Sequence, residues 1–225
     1  MFDFLLLFLV SLFPHAFVEY SVNVHVVHSN QVLNEIILEE VNDIYPNGNF
    51  QYNITIYVLN YSEVFPPVAN YDNLSCPKTF FYVPNVSNLV INRAVILVLV
   101  NHTSEYYIYR GVSYIGYDEF EWYYYINSSG VPYKIVLFQK NEYGSVVSIT
   151  TYTLIRSNII NSEETPIIPK DFKSIKGSSA LLSEDLNNSL NKSVGGYILL
   201  ADLILIPLMI GVGIYANKHK RNTCN

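Results

Sequence analysis

The chain changes its hydrophobic period several times, and each change marks an element. In "FVEYSVNVHV" the apolar residues Val18, Tyr20, Val22, Val24 and Val26 alternate with Glu19, Ser21, Asn23 and His25, a two-residue period that predicts a half-buried strand. The next stretch shifts to a helical spacing. Leu33, Ile36, Ile37, Val41 and Ile44 fall on one stripe of an amphipathic helix over residues 29–46, with Ser29 as its cap and Pro46 as its stop. Alternation returns in "FQYNITIYV", where Phe50, Tyr52, Ile54, Ile56 and Val58 point one way and Gln51, Asn53 and Thr55 the other.

A Pro-, Asn- and Tyr-rich loop is expected over 60–77, followed by strands at 79–83 and 89–100. Within the latter, "AVILVLV" is apolar throughout, which predicts a central strand buried on both faces. Turn signals at 101–104, 127–130 and 141–144 separate further strands at 106–112, 120–126, 132–139 and 145–155, the last two forming a hairpin. The expected fold is mainly β: an antiparallel sheet or sandwich with one amphipathic helix near its start.

Two apolar runs fall outside this pattern. The first, Phe4 to Phe13, is too short to span a bilayer and suits the core of a signal peptide covering 1–16. The second, Tyr197 to Tyr215, would cover about 27 Å as a helix, close to the ~30 Å hydrocarbon thickness, with a tyrosine at each edge. It defines a transmembrane helix over 194–216. Lys218, Lys220 and Arg221 follow, so the positive-inside bias puts the tail, 217–225, in the cytoplasm and the β-rich domain, 17–156, outside. Between domain and span, 157–193 is rich in Ser, Asn, Lys and Glu and reads as a stalk. The span carries one carboxylate, Asp202, about 7.5 Å below its outer boundary, where it can stay wet or meet a partner helix.

Eight N-glycosylation sequons, at Asn53, Asn60, Asn73, Asn85, Asn101, Asn127, Asn187 and Asn191, all precede the span, where chance predicts about three. The bilayer would also separate Cys76 from Cys224, so the two cannot pair within one chain. The net charge of −6 leaves the body acidic, which works against nucleic-acid binding.

Chemistry-bearing clusters are sparse. His25 and His28 stand three apart in a strand, so their rings face opposite ways and hold no metal between them. Glu119 and Glu121 share a strand face and could present the paired carboxylates of a membrane-tethered glycoside hydrolase, although solvated strand charges alternate in the same way. No nucleotide, nucleophile-elbow or zinc-protease motif is present; the expectation is a non-enzyme without a cofactor. Aromatic density is the stronger signal. Eight tyrosines lie between residues 106 and 125, together with Phe120 and Trp122, and Tyr106, Tyr109, Trp122, Tyr123 and Tyr125 form a candidate binding surface.

A short apolar leader, a Tyr-, Asn- and Ile-rich sheet with many sequons, no internal disulfide and one C-terminal span together resemble the small exported single-pass membrane glycoproteins of hyperthermophilic crenarchaea and their viruses. The resemblance implies a cell-surface or virion-envelope glycoprotein in a host membrane. Its expected partners are the lipid bilayer and a membrane or cell-surface protein or further copies of itself.

Overall fold

The computed structural model describes residues 12–74, 89–91, 95–127 and 129–174, with side chains described for 12–74, 96–127 and 129–174. The leader's apolar core, the expected strand at 79–83, Cys76, Cys224, Asn85, Asn187, Asn191, the rest of the stalk, the span with Asp202 and the basic tail lie outside these residues.

The described residues are mainly β and contain no helix. In chain order the strands are β1 (Phe17–Val26), β2 (Gln31–Ile44), β3 (Asn49–Val58), β4 (Glu63–Asn73), β5 (Leu89–Ile91), β6 (Val95–His102), β7 (Tyr107–Ile115), β8 (Asp118–Ile126), β9 (Pro132–Lys140), β10 (Val146–Ser157) and β11 (Lys173–Ser174). They form one sheet in the order β11-β4-β3-β2-β1-β10-β9-β8-β7-β6-β5. Two meanders, β1 to β4 and β5 to β10, are joined where the first strand pairs with the tenth. Every pairing is antiparallel except β11 with β4.

One face of this sheet supplies the core. Val18, Tyr20, Val22 and Val24 on β1, Phe50 to Val58 at even positions on β3, and Phe120, Trp122, Tyr124 and Ile126 on β8 join a single buried cluster that reaches Leu97 on β6. No helical layer lies over that face among the described residues. Tyr20 of β1 reaches across β10 to donate to the carbonyl of Pro132.

Three expectations are corrected here. The helix over 29–46 is the strand β2, 14 residues long. Its inner face carries Leu33, Glu35, Ile37, Glu39 and Val41, while its outer face carries Ile36 and the buried Leu38. Apolar residues on both faces, with two acids turned inward, erased the alternation and left a spacing that mimics a helix. Pro46 begins a hairpin turn that Gly48 closes at φ 79°, with Gly48 N–H donating to the Tyr45 carbonyl at 2.9 Å.

The second correction concerns the expected loop at 60–77, most of which is β4 despite Pro66 and Pro67. Prolines are tolerated because β4 lies near the sheet edge and a register shift occurs beside them. Third, "AVILVLV" is not a central strand. It falls largely in β6, where Leu97 is buried but Ile96, Val98, Leu99 and Val100 are 39–56% exposed.

Beyond β10 the chain stays on the sheet. Residues 158–172 run back over the outer face of β1 to β3. There Glu19 accepts the Ile167 N–H at 3.1 Å, and Phe172 meets the Tyr57 ring edge-on at 5.7 Å. The stretch read as the start of a stalk at 157 is therefore a strap as far as Ser174. The end of the expected leader packs with the core cluster of the inner face. Leu12 and Ala16 are buried, and His15 and Ala16 exchange backbone hydrogen bonds with Val41, both at 2.8 Å.

Candidate functional site

The candidate tyrosines divide by strand parity. On β8 the even positions Phe120, Trp122 and Tyr124 face the core, and on β7 Tyr109 pairs with Tyr124 on the same side. Tyr109 and Trp122, at 1% and 5% exposure, are thus removed from any binding surface. Tyr106, Tyr123 and Tyr125 remain on the outer face.

There they acquire partners that sequence did not single out. A register shift after Tyr125 places Tyr133 beside it, and Tyr106, Tyr125 and Tyr133 form a three-ring cluster with centroids 5.2–6.0 Å apart. Lys134 sits 5.9 Å over the Tyr125 ring, and Tyr123 meets Phe138 edge-on at 6.0 Å. Burial pushes the Tyr133 hydroxyl up to about 12, helped by Tyr106, Tyr125 and Glu105. The Tyr133 hydroxyl therefore stays neutral at physiological pH.

Next to the aromatic stripe lies an ion-pair network spanning β7, β8 and β9. Glu121 Oε1 accepts Arg110 Nε at 2.6 Å and the Tyr123 hydroxyl at 2.9 Å, while Oε2 accepts Lys140 Nζ at 2.7 Å. Lys140 also donates to Glu119 at 2.8 Å, and Glu119 accepts the Tyr114 hydroxyl at 3.1 Å. The register explains the convergence: Glu119 stands directly opposite Lys140, and Glu121 is its diagonal neighbour.

Burial pushes the Glu121 carboxyl up, but hydrogen bonds from Lys140, Arg110 and Tyr123 outweigh it and hold the group down at about 2. Lys140 and Tyr114 likewise lower Glu119. A glycosidase needs one of its two carboxyls to keep a proton at working pH. In this network both carboxyls are favoured in the ionised form.

The inner face of β2 and β10 contains polar groups that no sequence pattern revealed. Glu35, Glu39, Ser148 and Thr150 are buried there. Glu39 is close enough to add to the rise that burial causes at Tyr20, and burial, Tyr152, Tyr20 and Glu39 together raise Tyr124. The hydroxyls of Tyr109, Tyr124 and Thr150 find no hydrogen-bond partner among the described residues and are shut off from water. The inward acids could have been suspected only by reading residues 31–44 as a strand.

Among the described residues no three metal-ligating side chains gather. His25 Nε2 lies 3.3 Å from Asn30 Oδ1, and His28 sits in the following turn.

No family model matches this chain, and no curated protein matches it. Among solved structures, one of PNGF-II aligns at TM-score 0.29 and 10% identity over 75% of this chain, which spans about a third (32%) of that structure's length. An acyl-ACP thioesterase from Bacteroides thetaiotaomicron aligns at TM-score 0.14 and 11% identity, over 62% of this chain and 76% of the other. Likeness this low carries neither fold nor function.

Proposed function

We propose that this chain is a single-pass surface or envelope glycoprotein whose β-sheet domain stands outside the membrane and serves binding or assembly, with the bilayer as one partner and a cell-surface protein or further copies of itself as the other. The observation that carries this reading is the placement of the sequons. Asn60 and Asn101 are exposed, Asn53, Asn73 and Asn127 are partly exposed, and none faces the core. A glycan on any of them meets solvent, as export to a glycosylating compartment requires. The outer cluster of Tyr106, Tyr123, Tyr125, Tyr133 and Phe138 supports the binding role, since such rings offer contact area at low entropic cost. The absence of a surplus of cations keeps nucleic acid from the list of partners.

Topology tests the reading directly. Protease added to intact cells producing the full chain should digest the sheet domain and spare the tail, and glycosidase treatment should lower the apparent mass. A domain wholly protected from protease, with no glycan at any sequon, would overturn it.

A further inference from the structure

The connection from β8 to β9 opens on a sequon, Asn127 with Ser129 as its third residue. Asn127 stands one step past the end of β8 and two after Tyr125, so the alternation of the strand carries it to the outer face, its Cα about 7 Å from that of Tyr125. Tyr107 lies opposite Ile126, and the next step of that register brings Tyr106 level with Asn127. Tyr133 completes the group, its ring 5.2 Å from that of Tyr106 and 5.9 Å from that of Tyr125. Asn127 and the three tyrosines are all partly exposed. A sugar attached to this asparagine therefore starts beside three aromatic rings.

The amide itself is held through its oxygen. Asn127 Oδ1 accepts the Ser129 N–H at 3.0 Å and the Ser129 hydroxyl, and the Asn127 carbonyl accepts the Gly130 N–H at 3.1 Å. Glycosylation replaces a hydrogen on Nδ2 and leaves Oδ1 unchanged, so the same bonds hold the turn once a sugar is attached. At Asn53, Asn60 and Asn73 the nitrogen is engaged instead, donating to Asn42, to the Val32 carbonyl and to Asn49 at 3.2, 3.3 and 2.7 Å. Asn73 also follows a tyrosine, Tyr71, by two residues, but its Nδ2 is tied across to β3 through Asn49. The face of an aromatic ring carries negative charge and attracts the weakly positive C–H groups on one side of a pyranose, while the hydroxyls of the sugar stay hydrated. The three tyrosines are already packed on one another, so receiving a sugar costs them little further ordering.

We propose that Asn127 carries an N-linked glycan whose first sugar packs on the rings of Tyr106, Tyr125 and Tyr133, making this cluster the seat of the protein's own glycan. The proposal rests on the surface-glycoprotein reading. In the transfer, Nδ2 forms a bond to the anomeric carbon of a lipid-phosphate-linked oligosaccharide. The sugar–phosphate bond breaks, the phosphate leaves with its electron pair, and Nδ2 gives up one proton. The covalent tether then keeps the sugar at its seat, so the contact is intramolecular and independent of concentration.

The full chain, made in a glycosylating eukaryotic host and purified in detergent, tests this by glycopeptide mass spectrometry, thermal melts and NMR of ¹³C-labelled glycan. Asn127 should be occupied. Asn127→Asp keeps the oxygen that holds the turn but takes no sugar, and it should lower the melting temperature by about 2–4 °C. In a Tyr125→Leu background the same change should cost less than half as much, the non-additivity of two groups in contact, whereas Tyr125→Phe keeps the ring and should leave the effect in full. The sugar signals that vanish in Asn127→Asp should lie upfield of those of the other glycans and move back in Tyr125→Leu, a ring-current signature that altered protein packing alone does not produce. Asn127 bare while other sequons are occupied, an Asn127→Asp melt that is unchanged or shifts equally with and without Tyr125, or sugar signals without the upfield shift would each overturn the inference and leave the surface-glycoprotein reading standing. Glycan absent from every sequon would remove both.

Discussion

Strand β8 presents nearly the same chemistry on its two faces and gives it opposite outcomes. On the outer face Glu121 is buried, yet Arg110, Tyr123 and Lys140 saturate both of its oxygens. On the inner face the Tyr124 hydroxyl is equally buried and bonds to nothing described. The outer partners are long side chains that reach sideways from neighbouring strands, whereas the inner neighbours of Tyr124 are set by core volume: Tyr109 and Ile135 beside it, and Trp122 with its ring centroid 6.3 Å away. Packing determines the inner face and hydrogen bonding the outer one.

That contrast is sharpest at Trp122 and Tyr125, one aromatic ring for each face. Trp122→Ala should lower unfolding free energy by ~3–5 kcal/mol in chemical denaturation, because it opens a cavity in the one core. Tyr125→Ala, on the half-buried outer cluster, should cost below ~1.5 kcal/mol. Equal losses would mean that the two faces are not distinct.

Acid probes the outer face next. The Glu121 carboxyl lies below its unfolded value, so its stabilisation is present above pH ~4.3 and is lost as pH falls toward 2. Thermal melts from pH 6 to 2.5 should show a loss on the order of 2 kcal/mol, after discounting for the partly exposed partners Arg110 and Lys140. Glu121→Gln should flatten that slope. An unaltered slope in the variant would assign the acid sensitivity elsewhere.

The smallest effects come from single hydroxyls. Tyr124→Phe removes a buried group without a described partner and should raise stability by about 1 kcal/mol, whereas Tyr20→Phe loses the bond to Pro132 and should lower it by about as much. Calorimetry on the two variants should give melting shifts of opposite sign. A drop in both would place an acceptor for Tyr124 in the folded protein.

How legible the fold is from sequence follows the number of covered faces. β1, β3 and the hairpin of β9 and β10 alternate cleanly and coincide with their expected positions within a few residues. β2 does not, because the strap over its outer face makes Leu38 as buried as the core residue Val41. The strap consists of polar, Pro-containing sequence, so nothing local announces that it covers apolar surface. β6 fails in the opposite sense, with an apolar sequence near the end of the sheet order and four aliphatic side chains exposed. The candidate tyrosines were separable in principle: Glu119 and Glu121 mark the outer parity of β8, which puts Trp122 inside and Tyr123 and Tyr125 outside. Tyr133 enters their cluster only through a register shift that sequence does not encode visibly.

The strap also has a mechanical meaning. Asn158 clamps its start, with Oδ1 accepting the Phe17 N–H at 2.7 Å and Nδ2 donating to the His15 carbonyl at 2.8 Å. Its far end is fastened through Phe172 and the short β11 beside β4. A pull applied through residues beyond 174 therefore meets β11 and the Phe172–Tyr57 contact first, then Ile167 on Glu19, and only afterwards the long pairing of β10 with β1. The order of fastening acts as a graded release, in which the weakest clasps yield under load and shield the sheet behind them.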